Sequence, residues 1–269
     1  MTARRGPRLR TVLLASVAVI GLGVAASLFA ADRYFERLHC TTGDGSVDEV
    51  CLARNKLRAR LGPAVYSQYD EELLVRDFFD DMRGGFFVDV GAGNWRDMNM
   101  TLFLEEQRAW HGIAVDANPS FASAYQEHRG ATKFFAYFVS DKIEPGRSFF
   151  LDDKRWALGS GDKNYLAEAG LNVHEISIPS ITLDALLERE GATKVDFLSM
   201  DIEQGEPAAL TGFDINRWKP QLVCIEMQTA VAPFIRDYMQ KHGYVDVKRY
   251  AALDKINTYF APSGLPRLR

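Results

Sequence analysis

The chain has 269 residues, 47% hydrophobic and 25% charged, which suffices for one α/β domain with an appendage and for a substantial buried core. Its 36 acidic and 32 basic residues leave a formal net charge of -4. That balance excludes a binding surface built on bulk positive charge, so no nucleic acid partner is expected.

Taken from the N-terminus, residues 1–10 form a basic tail carrying Arg4, Arg5, Arg8 and Arg10. Thr11 to Ala31 follows as 21 residues without a charge. At about 1.5 Å of rise per residue, that length crosses a hydrocarbon core of about 30 Å. The pattern predicts a single-pass signal-anchor helix and a membrane partner; a signal peptide cleaved near Ala26 or Ala30 fits the same flanks, but the length favours retention. The arginines predict a cytoplasmic N-terminus with the remainder translocated. Residues 32–60 read as a stalk or capping helix ending in Arg54, Lys56, Arg58 and Arg60. Within it Cys40 and Cys51 flank a polar stretch, either as a disulfide suited to an oxidising compartment or as two unrelated thiols. Cys224 lies in an apolar run and reads as a buried, inert thiol.

Residues 61–269 form the main domain. Strand-like runs cover residues 85–90, 112–116, 133–140, 195–201 and 222–226, with two more at 244–248 and 256–260. Helical stretches fill most gaps. Asn118-Pro119 caps a helix over 121–128, Thr182 caps one over 183–190, and a third covers 229–241. This alternation predicts a mostly parallel α/β sheet, and the last two strands, too close for a helix between them, predict an antiparallel hairpin at one edge. The stretch from Ser148 to Asn172 is longer than a crossover requires and reads as an acceptor lid or an ordinary surface loop.

Ligands of open α/β sheets sit at the C-terminal ends of the strands. There the sequence places Asp89, Asp116, Asp141, Asp201 and Glu226. Gly91, Gly93 and Asn94 follow the first strand, where glycines permit a tight turn and close approach of a ligand. A dinucleotide fingerprint requires a third glycine where Arg96 stands, and the lysine of a phosphate-gripping loop is absent. Clustered carboxylates repel a pyrophosphate but suit a sulfonium cation and ribose hydroxyls, which points to an adenosyl ligand without phosphates.

With those residues in place, the chain resembles the FkbM-type methyltransferases over roughly residues 67–260. The likeness is carried by Gly85-Phe86-Phe87-Val88-Asp89-Val90-Gly91-Ala92, Thr101 to Glu105, Trp110 to Pro119, Ile181 to Leu187, and Val195 to Glu203 with Glu206. The resemblance implies a Rossmann-like methyltransferase fold, S-adenosyl-L-methionine as cofactor, and methylation of an oxygen on a sugar, glycan or natural product. It places Asp89 and Gly91 in the donor-binding turn, Asp116 on the ribose, and Asp201, Glu203 and Glu206 in an acidic motif beside the active cleft. Three departures stand out: Gly93-Asn94-Trp95 after the first turn, Asn99-Met100-Thr101 before the first helix, and Gln204-Gly205 inside the acidic motif. Trp95 puts a large ring where the donor's methionine end would pass, where it either stacks on the ligand or blocks it.

The expected donor contacts are therefore Asp89, Gly91, Gly93, Asn94, Asp116, Asp141 and Asp201, and Asp201 and Glu203 are the expected catalytic bases. His111 and His174 read as structural. Asp201, Glu203 and Glu206 could present hard oxygens to Mg²⁺, but their spacing suits a cap and turn equally well, so no metal is predicted. The scattered histidines exclude a zinc site. The competing expectation is a non-catalytic, membrane-tethered binding or scaffold protein with a degenerate donor site. Nothing in the sequence specifies an oligomeric state.

Overall fold

The computed structural model describes residues 40–44, 46–152, 155 and 159–265. The basic tail, the apolar segment 11–31 and residues 32–39 lie outside the described residues. Among those described, no helix is long and apolar enough to cross a membrane. The chain divides into two units, residues 1–56 and 57–269.

In the first unit Cys40 and Cys51 form a disulfide, with their Cα atoms 5.5 Å apart. Asp48 accepts hydrogen bonds from the N–H groups of Val50 (2.9 Å) and Cys51 (3.0 Å), capping helix α1 (Glu49–Leu61). The second half of residues 32–60 is thus helical.

In the second unit the main sheet has the order β10 (Tyr244–Asp246), β11 (Asn257–Pro262), β9 (Leu222–Glu226), β8 (Phe197–Met200), β1 (Phe86–Val90), β2 (His111–Asp116), β3 (Thr132–Ala136). β9, β8, β1, β2 and β3 are parallel, while β11 runs antiparallel to both β9 and β10. This is the mostly parallel sheet with an edge hairpin that the alternation predicts. β8 is buried along its whole length and β9 at four of five positions, as expected of strands covered on both faces. At the foot of the sheet, buried Asp196 accepts from Phe86 N (2.8 Å) and Gln221 Nε2 (2.9 Å) and pairs with Lys194, tying β1 to the loops flanking β8.

Helices α2 (Glu71–Phe78), α3 (Leu102–Arg108), α4 (Ala122–His128), α5 (Lys163–Glu168), α6 (Leu183–Arg189), α7 (Glu206–Thr211), α8 (Ile215–Trp218) and α9 (Ala232–Lys241) complete the unit. Asn118 caps a short 3₁₀ turn leading into α4, and Thr182 caps α6 through Ala185 N at 3.2 Å.

One expected element differs. The single strand read over 133–140 is two strands belonging to different sheets. Tyr137 N still reaches Asp116 O (3.1 Å) at the end of β3, but Ser140 N bonds Ile181 O (2.9 Å). β4 (Phe138–Val139) therefore pairs with β7 (His174–Ile181) in a second sheet of order β4-β7-β5-β6, with β5 at Glu144–Leu151 and β6 at Gly159–Ser160. The stretch read as lid or loop thus contributes strands and α5. Phe138, Phe149, Leu151 and Ile178 give it its own small apolar core.

Candidate active site

The parallel strands deliver their C-terminal ends to one cleft enclosing about 1110 Å³, part of it open to solvent. On one side is the turn after β1. Gly91 and Gly93 take φ values of 79° and 57°, a region that costs residues with a Cβ atom about 1–2 kcal/mol. At Gly91 the packing is stricter still, because a Cβ would lie 1.8 Å from the backbone oxygen of Asp201. Gly91→Ala is expected to lower the melting temperature markedly and abolish donor binding, measurable by thermal denaturation with and without ligand.

Gly93 N donates to Asp116 Oδ2 (2.9 Å) and Asn118 N donates to Oδ1 (2.7 Å). The carboxyl is thereby fixed at the end of β2, lining the cleft with Gly91, Gly93 and Asn118. Burial raises its pKa to about 6 despite the two N–H donors. Asn94 also lines the cleft, while its side chain caps the next turn by accepting from Arg96 N and Asp97 N.

Asp89 takes a different place from the one expected. It is 5% exposed and does not line the cleft; it lies beneath the glycine turn and accepts from Thr101 Oγ1 at 3.0 Å. Burial lifts its pKa to about 6, opposed by Thr101 and by the nearby Arg129. Trp95 does not obstruct the cleft either. Its ring stacks on His128 of α4 with centroids 4.1 Å apart, and its backbone oxygen accepts from Arg129.

Beside the glycine turn, Asp201 and Glu203 follow β8, the neighbour of β1, and line the same cleft. Glu203 and Gln204 have φ of 52° and 75°, two consecutive non-glycine residues in the left-handed region. Glu203 is tied to the second sheet: Ser160 Oγ donates to its backbone oxygen (2.9 Å) and Tyr165 OH to its carboxylate. Gln228 Nε2 donates to Glu203 Oε2 (2.7 Å) and to Glu226 Oε2 (2.8 Å). Asp201, Glu203 and Glu226 each place an oxygen within 4.8 Å of the others. The walls around Asp201 raise its pKa well above the usual carboxylate range, and repulsion from Glu226, Glu203 and Glu206 adds to this. When protonated, Asp201 donates to Glu226.

Glu206 does not complete the acidic trio, as the motif suggested; Glu226 does. Glu206 is buried and turns back to accept from Ile202 N (3.0 Å), with a pKa raised to about 7 chiefly by burial. It serves the turn that presents Asp201 and Glu203. Asp141 is corrected outright: it is exposed, lies beside Gly212, and is absent from the cleft lining. The break at Tyr137 carries it into the second sheet's connection. His111 opens β2 at the end remote from Asp116, and His174 opens β7; neither lines the cleft.

Sequence reading missed Asn118, Tyr165 and Gln228 as site residues and left Glu226 as a strand-end acid without a role. Gln228, two residues past a strand end, carried a usable signal. Tyr165 carried none until its stretch is known to fold against β8's loop.

A parallel sheet with a glycine turn after its first strand, an acid closing its second and acids after its fourth and fifth parallel strands is a methyltransferase arrangement. The methyltransferase FkbM domain matches residues 89–245, and the chain belongs to that family. A TehB-like SAM-dependent methyltransferase from Corynebacterium glutamicum is 12% identical, covering 72% of this chain and 81% of its own, with a TM-score of 0.37. The METTL16 MTase domain is 11% identical, covering 88% and 92%, with a TM-score of 0.39. No curated protein matches the sequence significantly.

Proposed function

We propose that this protein is a membrane-tethered, S-adenosylmethionine-dependent O-methyltransferase acting on a hydroxyl of a sugar, glycan or natural product. One observation carries the reading: a single cleft is lined by Gly91, Gly93 and Asp116 together with Asp201 and Glu203. The glycine turn and Asp116 fit the donor. Glycines without Cβ atoms leave its turn open, Asp116 presents acceptors for the two ribose hydroxyls, and Trp95 is turned away. When bound, S-adenosylmethionine supplies an electrophilic methyl group on a sulfonium, favoured by a cleft rimmed with carboxylates. The acids after β8 orient the acceptor. Glu203, fixed by Tyr165 and Gln228, is the base that takes the acceptor's hydroxyl proton. Asp201 and Glu226 accept neighbouring hydroxyls. The apolar segment 11–31, preceded by arginines, is the anchor.

The test is calorimetric titration of the detergent-solubilised full chain with S-adenosylmethionine, followed by transfer of tritiated methyl to glycans and glycolipids. Micromolar binding is expected; silence at millimolar donor overturns the reading. Glu203→Gln is expected to lower kcat by about 10²–10⁴-fold while donor affinity stays within about twofold.

A second reading, a non-catalytic binding or scaffold protein of the same fold, is favoured by the Cys40–Cys51 disulfide. That bond suits an oxidising compartment, whereas the donor is made in the cytoplasm. A reporter fused at the C-terminus locates the domain, and the titration above decides between the two.

A further inference from the structure

Single apolar side chains on a protein surface need no explanation, but exposed ones that line a cleft do. Val65, Tyr69, Met98 and Ile256 are exposed large apolar residues from three distant parts of the second unit. Met98 and Ile256 themselves line the cleft, and Val65 and Tyr69 bracket Gln68, which lines it too. The same cleft is lined by the apolar side chains of Phe149, Leu151 and Ile202 together with Asp201 and Glu203. Exposed apolar side chains and the acids thus share one cleft.

Arg96 and Lys255, both exposed, adjoin the lining residues Asp97 and Ile256 in sequence. Tyrosine with arginine and lysine around apolar side chains is the composition of a surface that meets lipid headgroups. The chain supplies the bilayer itself. Residues 32–56, between the apolar segment and the second unit, are 25 residues. Even fully extended they span at most about 85 Å, so the domain stays close to the membrane that holds residues 11–31.

We infer that the mouth of the cleft docks on the bilayer surface, and that the acceptor is a membrane-resident amphiphile whose tail stays in lipid while its hydroxylated head reaches Glu203. The inference rests on the membrane tether proposed above and narrows the acceptor to lipid-linked hydroxyl compounds. A second copy of the chain on the same rim is the competing occupant.

The test uses the full chain in phosphatidylcholine–phosphatidylglycerol vesicles carrying nitroxide-labelled lipid. Single cysteines are introduced as Met98→Cys and Ile256→Cys at the rim, and as Ile143→Cys and Val245→Cys at exposed positions that do not line the cleft. Each is labelled with bimane; the native thiols are paired or buried. A rim lying about 5–10 Å into the headgroup–acyl boundary should lose about half or more of its emission to shallow nitroxides, with the controls unaffected. Unquenched rim positions on vesicle-bound protein overturn the docking but leave the tether standing. Uniform quenching at all four positions overturns it as well, since adsorption is then not through the mouth. A rim emission that shifts with protein concentration and not with nitroxide assigns the surface to a second copy. Failure of the chain to float with vesicles removes the tether and the docking together, while the calorimetric titration still reports on the donor site.

Discussion

Replacing Asp116 with alanine is expected to weaken S-adenosylmethionine binding at least about 100-fold, with the fold retained. Two hydrogen bonds from ribose hydroxyls to a carboxylate contribute about 1.5–3 kcal/mol each when the carboxylate is buried and charged. The cleft makes that contribution available because Gly93 N and Asn118 N already hold both oxygens in place. Asp116→Asn keeps one acceptor and should fall between wild type and alanine. The same site predicts a pH dependence. Burial raises the Asp116 pKa to about 6, so the free protein protonates this carboxyl as pH falls through that value, and only the ionised form accepts from both hydroxyls. Affinity should therefore be full at pH 7 and fall about tenfold by pH 5, a slope that Asp116→Asn removes. Calorimetry across pH checks both outcomes; an alanine variant that binds as tightly as wild type would place the ribose elsewhere.

The parallel sheet was legible because its strands, buried on both faces, read as short apolar runs bounded by glycines, and because Asn118 and Thr182 cap their helices in plain sight. The edge hairpin was legible from spacing alone. The second sheet was not. Phe149 and Leu151 alternate inward, but Phe150 between them is also apolar, which hides the period of two. At Tyr137 the chain leaves one sheet for another with no glycine or proline to mark it. The consequence reached the site: Asp141, read as the acid after the third strand, is carried off with β4. For the acids themselves, sequence order gave the cleft but not depth. Asp89 stands one residue before the end of β1 and Asp116 ends β2, yet only Asp116 lines the cavity. Neither pattern nor spacing reveals on which side of a glycine turn a carboxylate lies. Trp95 was ambiguous for the same reason, and its stack on His128 depends on where α4 ends.

Beneath that turn the largest stability effect is expected. Arg129 has no exposed side-chain surface, and its guanidinium donates to Glu105 Oε2 (2.6 Å), Trp95 O (3.2 Å), Asn99 Oδ1 (3.3 Å), Thr101 Oγ1 (3.2 Å) and Thr132 Oγ1 (3.1 Å). It is also the cation that opposes the burial of Asp89. Arg129→Met keeps the volume but leaves Glu105 and Asp89 without a counter-charge in the interior. Breaking a buried pair this way costs about 3–5 kcal/mol, or roughly 10 °C in Tm for a domain of this size. The loss should vary with pH in a definite direction. Without the guanidinium the folded-state pKa of Asp89 rises further above its unfolded value. The ionised form is then increasingly disfavoured in the folded protein, and stability falls as pH climbs through that raised value. The variant should therefore lie closer to wild type at pH 5 than at pH 8 in urea denaturation. Adding Glu105→Gln to Arg129→Met should restore part of the difference, since one orphaned charge is removed. A penalty independent of pH and untouched by the second change would mean that Arg129 acts through packing alone, and that the turn carrying Gly91 and Gly93 needs no buried cation to hold its shape.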